Sequence, residues 1–318
     1  GPAFGPVISG LMCTLFGWRA VFVVPLVGGI VVAAAGVKLV QNVGERSNTT
    51  LDILSVVLLA AGITAFVYSV GEFSTNLIAG IVALFAAIVL LGLFAARQLK
   101  LEHPVLNVRP MASVRFWPAC LLVVVSMMTT FSMSVLLPLY FEGAYGMTAL
   151  VAGLLILPAI ACNAVTSIVG GRVMDARGAW PLLPVGFALI AVGQTAISMT
   201  AASMNIGVVV ALTVVVYAGV GLVLSPSQTA GLETLPAAEH PHGTALLNTW
   251  NMIAASFGPS LFIGLLSSSA ATAGAAGAAT DVAQAIGFAA AVRVAAVIAV
   301  VGFATSLVYA RRESHMSH

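Results

Sequence analysis

Apolar runs of about 20 residues recur along this chain with almost no charge inside them, and that pattern restricts the fold more than any other feature. Ten such runs are read, at roughly 1–16, 18–39, 51–71, 77–96, 117–140, 148–170, 181–201, 206–229, 244–267 and 287–310. A helix of that length crosses the hydrocarbon core of a bilayer with every backbone polar group satisfied internally. The runs are continuously apolar and lack a two-residue alternation, which favours helices over lipid-facing barrel strands. Only 7% of the residues are charged, against about 25% in soluble domains, so the chain could not cover a water-facing surface. The expected fold class is therefore an all-α membrane protein with about ten transmembrane helices.

Charge placement orients the spans. If the first run starts at the cytoplasmic side, the connections near 40–50, 97–116, 171–180 and 230–243 and the C-terminal tail all face the cytoplasm. They carry Lys38, Arg46, Arg97, Lys100, Arg109, Arg115, Arg172, Arg177, Arg311 and Arg312, ten of the 12 Lys and Arg residues. Arg19 and Arg293 are the exceptions, and Arg293 is read as lying just inside the outer end of the last span. This bias follows the positive-inside rule and implies a multi-pass protein of the cell membrane with a cytoplasmic C-terminus. The net charge of +2 gives no reason to expect a nucleic-acid partner. The chain begins at Gly1 inside an apolar stretch, so a natural N-terminus further upstream is expected.

Several segments carry more than hydropathy. GPAFGPVISG places Gly1, Pro2, Gly5, Pro6 and Gly10 on one short helix, where small residues permit close helix approach and proline permits bending. GGRVMDARGAWP holds Gly171, Arg172, Asp175, Arg177 and Gly178 in a charged turn, where Asp175 can cap a helix or pair with either arginine. LPLYFEGAYGMTALVAGLLILP contains Glu142, and PHGTALLNTWNMIAASFGPSLFIG contains Asn248 and Asn251.

Together these segments resemble the fourteen-helix drug:proton antiporter branch of the major facilitator superfamily. The first, continued by Phe16–Phe22, is similar to that family's antiporter motif on its fifth span, with Ser9 where glycine is frequent. The second resembles the second copy of the family's inner-loop motif, and the last resembles its thirteenth span, with Asn251 and Met252 where Gln is common. The resemblance implies a major facilitator fold in which this chain holds the fifth to fourteenth spans and lacks the first four. It implies an N-terminal bundle ending at 1–40, an inserted helix pair with its connection at 41–116, a C-terminal six-helix bundle at 117–310 and a tail at 311–318. Alternating access, drug-like small-molecule substrates and proton exchange follow from the same resemblance. So do roles for the glycine motif in packing and leak prevention and for the inner-loop motif as a latch, where the plain alternative is a topology-setting turn. A non-transporting truncated remnant and a narrow-substrate carrier of the same superfamily remain as alternatives.

Within the spans the amides are Asn163, Gln194, Gln228, Asn248 and Asn251, and a hydroxyl run covers Ser126, Thr129, Thr130, Ser132 and Ser134. By the resemblance, the helices at 117–140, 148–170, 206–229 and 244–267 line the cavity. That makes Asn163, Gln228, Asn248, Asn251, Phe131 and Tyr140 its candidate contacts. The alternative is that amides and hydroxyls bind helix to helix. Glu142 is the candidate proton site, or a hydrated carboxylate at the membrane edge. No charged residue is expected in mid-membrane. The five histidines sit in connections or the tail, and Cys13, Cys120 and Cys162 lie apart in apolar runs. No metal set, phosphate loop or nucleophile–base pair is read, so neither a cofactor nor an enzymatic activity is expected. The 267–286 segment, rich in Ser, Ala and Gly, is expected to be a flexible outer loop.

Overall fold

In a computed structural model, residues 5–39, 52–72, 76–101 and 104–314 are described, and all their regular structure is helical. The long elements are α1 (Gly5–Phe16), α2 (Val23–Leu39), α3 (Ile53–Glu72), α4 (Leu77–Lys100), α5 (Phe116–Tyr145), α6 (Ala149–Arg177), α7 (Leu182–Thr200), α8 (Ile206–Glu233), α9 (His240–Ala275) and α10 (Thr280–Ser314). Among the described residues nine helices are long and apolar enough to cross a membrane. Of the ten runs read from the sequence, the first is the one not among these nine: its described part, α1, has 12 residues. Gly1 and Pro2 lie outside the described residues.

The ends of these helices follow from local chemistry. Asn76, Thr148 and Asn205 accept from the first-turn N–H groups of Ala79, Val151 and Val208, covering donors that the helix leaves open. α5 stops at Gly146 and α6 at Gly178, where φ is 66° and 74°, a left-handed backbone that glycine enters without strain. α4 ends ahead of Pro104, and a single 3-10 turn at Arg109–Ala112 leads to α5, as the prolines there require.

The 267–286 segment corrects the sequence reading. α9 continues to Ala275 and α10 begins at Thr280, so the connection is only residues 276–279. Alanine is the strongest helix former, and low complexity in an alanine-rich stretch reads here as helix. One consequence is that Arg293 lies far inside α10 and not at its edge.

Among α5 to α10, α5 packs on α8, α9 and α10 and also touches α6, while α8 is held between α6 and α7. Glycines set the spacing. A methyl on Gly219 would sit 2.5 Å from the Gly186 carbonyl of α7, and one on Gly221 would sit 2.7 Å from the Asn163 carbonyl of α6. The core between these helices is aromatic and aliphatic, with Phe187, Phe262, Phe288, Leu136 and Leu183 fully buried. α10 rests on α7, α9 and α5, and α1 rests on α6.

α3 and α4 form a hairpin against α9, where Phe66 and Phe257 stack at 5.1 Å. Its lower end is fastened by a polar chain the sequence reading missed. Arg97 holds Asp52 through two hydrogen bonds of 2.6 and 3.1 Å. Ser55 donates to Asp52 at 2.6 Å, Gln98 donates to Ser55 at 2.6 Å, and the Leu106 N–H donates to Gln98 at 3.1 Å. Leu106 and Phe94 then join Phe116, Leu235 and Leu246 in one apolar cluster, so the hairpin, the connection and the starts of α5 and α9 meet at the same end of the molecule.

The hydrogen bonds from Arg97 and then Ser55 bring the Asp52 carboxyl down from 3.8 to about 2. A carboxyl with a lowered folded-state pKa stabilises above its unfolded value and loses that contribution as pH falls through the folded one. Amide hydrogen exchange at the start of α3 is therefore expected to lose protection between pH 4 and pH 2. Asp52→Asn should remove that pH step, and an unchanged step in the variant would reject the clasp.

Candidate functional site

Four of the six helices α5 to α10 carry a proline beyond their first turn: Pro138 in α5, Pro158 in α6, Pro226 in α8 and Pro259 in α9. α7 has only Pro184, in its first turn where no helical donor is lost, and α10 has none. Each of the four removes one backbone donor and leaves the carbonyl four residues earlier without its helical partner, which makes a bending point. These are the same four helices that carry the candidate cavity residues.

The amides fall into two groups. Asn163, halfway along α6, donates from Nδ2 to the Tyr217 carbonyl of α8 at 3.0 Å. The Tyr217 hydroxyl meets Ser134 of α5 at 3.1 Å, and Ser134 in turn donates to the Thr130 carbonyl at 2.9 Å. Tyr217 thus ties α8 to α6 through its carbonyl and to α5 through its hydroxyl. Gln228 on α8 and Asn251 on α9 are half-buried and Asn248 is exposed, and none of the three makes a hydrogen bond to a described residue. They lie in the halves of α8 and α9 nearest the end that carries Arg115 and Glu233. Tyr217 was not singled out from the sequence, because a lone tyrosine in an apolar run carries no periodic signal.

Tyr140 is placed differently from the expectation. It is fully buried, stacks on Phe288 at 4.3 Å and donates its hydroxyl to the Ala201 carbonyl at 2.9 Å. It anchors α5 to α10 and to the turn after α7, and it presents no surface to a cavity. Phe131 is half-buried and packs on the core beside the buried Met127 and Met128. Ser132 is buried with an unpartnered hydroxyl, and it faces Gly258, the residue before Pro259.

Glu142 occupies the last turn of α5 and is exposed, next to Gly143, which touches Gln284 of α10. Gly171, Arg172, Asp175 and Arg177 lie in the closing turns of α6, and Gly178 ends that helix. The three charged side chains are exposed, and Asp175 makes no ion pair with a described residue. Nor does it cap the next helix, whose N-cap is Pro181. Gly5 and Pro6 open α1, and Gly10 is buried against the first turn of α6: a methyl there would stand 2.7 Å from the Ala149 carbonyl oxygen and 3.0 Å from the Leu150 Cα. Among the described residues no group of three His, Cys, Asp or Glu side chains could hold a metal ion.

This helix arrangement has a counterpart in the known families: the sequence profile of the Major Facilitator Superfamily matches residues 1–259. The chain belongs to that superfamily. It is 32% identical over 269 residues to the lincomycin resistance protein LmrB of Listeria monocytogenes, covering 84% of this chain and 57% of that protein. It is 32% identical over 310 residues to the MFS-type transporter YcnB of Bacillus subtilis, covering 96% of this chain and 65% of the relative. The multidrug resistance protein B homolog of Mycobacterium tuberculosis is 25% identical over 273 residues, covering 84% and 51%. The chain therefore spans between half and two-thirds of the length of these relatives. Membership and the nine apolar helices make it a multi-pass membrane protein, with transporters rather than enzymes as its kin.

Proposed function

We propose that this superfamily member works in a secondary active transporter that exports drugs or other amphipathic small molecules in exchange for protons. The observation that carries the reading is the coincidence of bending points and uncommitted amides. Gln228, Asn248 and Asn251 lie on two of the four proline-interrupted helices and make no hydrogen bond to a described residue. A polar side chain kept in a membrane helix without a protein partner is costly unless water or a ligand satisfies it. Helices that bend around such groups open and close a central site, as alternating access requires. Resistance proteins among the relatives support drug-like substrates.

In this reading Phe131, Met127 and Met128 form an adaptable apolar wall, and Asn163 adds a polar contact while it joins α6 to α8. Glu142 is the protonatable candidate at the end of α5. Gly10 seals α1 against α6, and the glycine segment it belongs to, with Gly5 and Pro6, serves packing and leak prevention. Arg172, Asp175 and Arg177 form a latch that closes in another state of the cycle. The end that carries Arg97, Arg115, Arg172 and Arg177 faces the cytoplasm, and so does the C-terminus.

Inverted vesicles test this with a fluorescent cationic dye under an imposed proton gradient. One set holds this 318-residue chain, and another holds the product of the whole open reading frame that contains it. Gradient-dependent dye movement by the full product is expected, and Gln228→Leu combined with Asn251→Leu should reduce it about tenfold, the effect of about 1.4 kcal/mol in site affinity. Normal insertion with no gradient-dependent movement across several dyes and drugs would reject drug:proton exchange.

A further inference from the structure

The depth of Arg293 follows from what α10 packs against. Near one end of α10, Phe288 stacks on Tyr140, whose hydroxyl reaches the turn after α7. Further along, Gly302 backs onto Phe187 of α7 and Val125 of α5, and near the other end Tyr309 donates to the Ala230 carbonyl in the last turns of α8. Arg293 lies between these levels, near the height of Ser134, about one turn from the middle of α5. It lies 13 residues beyond Thr280, about 20 Å along the helix axis. The side chain is exposed, on the same outer face as Ile286, Val297, Val300 and Val301.

A guanidinium exposed on the outside of the described helices near mid-membrane is expensive and needs an anionic partner. No described acidic residue can supply one: each lies in the first or last turns of a helix or in a connection. A second copy packed through this face would set arginine against arginine and valine. The side chain itself gives the direction of its partner, because helical side chains lean toward the helix N-terminus. For Arg293 that means the Thr280 end, past the small Ala289 and Ala290 one turn back, which leave room for the stem to lie along the helix.

We propose that Arg293 holds the phosphate of an anionic phospholipid drawn along the outer face of α10 from the leaflet at its Thr280 end. Guanidinium binds phosphate through two parallel hydrogen bonds, which point-charge partners do not reproduce, and the surrounding valines would contact the acyl chains. The site is distinct from the proposed transport pathway, on the opposite side of α10 from Phe187.

The full chain, purified and stripped of lipid, provides the test. Phosphatidylglycerol, phosphatidylcholine and inorganic phosphate are titrated separately, with retained lipid counted by native mass spectrometry and stability followed by melting temperature. Phosphatidylglycerol is expected to bind and raise the melting temperature, while inorganic phosphate, unable to enter hydrocarbon, should do neither. Arg293→Leu should weaken phosphatidylglycerol retention at least tenfold and Arg293→Lys by less. Leucine suits a lipid-facing position, so the variant is expected to fold. Should Arg293→Leu not fold, Arg293→Gln takes its place in the same titration. Equal phosphatidylglycerol retention by the neutral variant would overturn the proposal. So would equal stabilisation by inorganic phosphate, or loss of a dimer in place of loss of lipid.

Discussion

Gly221→Val is expected to lower stability by about 3 kcal/mol, the upper part of the range for overpacking a close-packed interior. The reason is geometric. A Cβ at Gly221 would collide with the Thr166 hydroxyl, stand 2.7 Å from the Asn163 carbonyl oxygen and 3.0 Å from the Ser167 nitrogen. Two of those three atoms belong to the backbone of α6, and a backbone in a helix cannot rotate out of the way. Retreat of α8 is blocked from the other side, where Gly219 lies equally close to Gly186 and Ile190 of α7. The substitution also separates Asn163 from the Tyr217 carbonyl, one turn back on α8. A net stability of about 5–15 kcal/mol leaves little margin for that loss. The measurement is thermal unfolding in detergent, with Gly92→Val as control, since a side chain on Gly92 meets nothing within 4 Å. Gly221→Ala should fall between the two. A melting point for Gly221→Val equal to that of the control would mean that α6 and α8 leave room for a side chain at this position.

The same seam shows why hydropathy made the helices legible in the sequence but not the site. Nine spans follow from apolar length alone, because backbone satisfaction in lipid permits little else. What each polar residue does depends on the neighbouring helix, which hydropathy does not encode. Asn163 and Gln228 look alike in the sequence, yet one is tied to the Tyr217 carbonyl and the other is left uncommitted. Tyr140 and Phe131 both read as cavity aromatics, and only contact with Phe288 and Ala201 separates them. Asp52 and Arg97 stand 45 residues apart, so their pairing depends on the antiparallel hairpin. The GxxxG-like stretch was legible in a weaker sense: spacing identified a helix able to pack closely, and the structure supplied α6 as the surface it meets. Arg293 was misplaced for a traceable reason. Ala-rich 267–286 was assigned to a loop on composition, and removing that loop carried Arg293 deep into α10.

Gly10→Leu is expected to reduce gradient-driven transport by the full protein at least tenfold while leaving the α5–α10 packing intact. α1 is buried on one narrow strip. Gly10 is enclosed by the first turn of α6, whereas Leu11, Leu15 and Phe16 are exposed. The atoms facing Gly10 are the Ala149 carbonyl and the Leu150 Cα, so even one methyl requires a main-chain shift, and a leucine requires the two helices to separate. Separation costs little elsewhere in α5–α10, because α1 touches that group through α6 alone to any substantial extent. The melting temperature should therefore move far less than for Gly221→Val. Transport should respond strongly, because in the proposed cycle this contact is a moving seam that must close to separate the two sides of the membrane. A seam that cannot close leaks, so passive dye equilibration without a gradient should rise as driven transport falls. Gly28→Leu is the control, with open space around it on α2. Retained transport and unchanged leak in Gly10→Leu would show that the α1–α6 contact serves only to hold the helices together, and the antiporter role of the glycine segment would have to be given up.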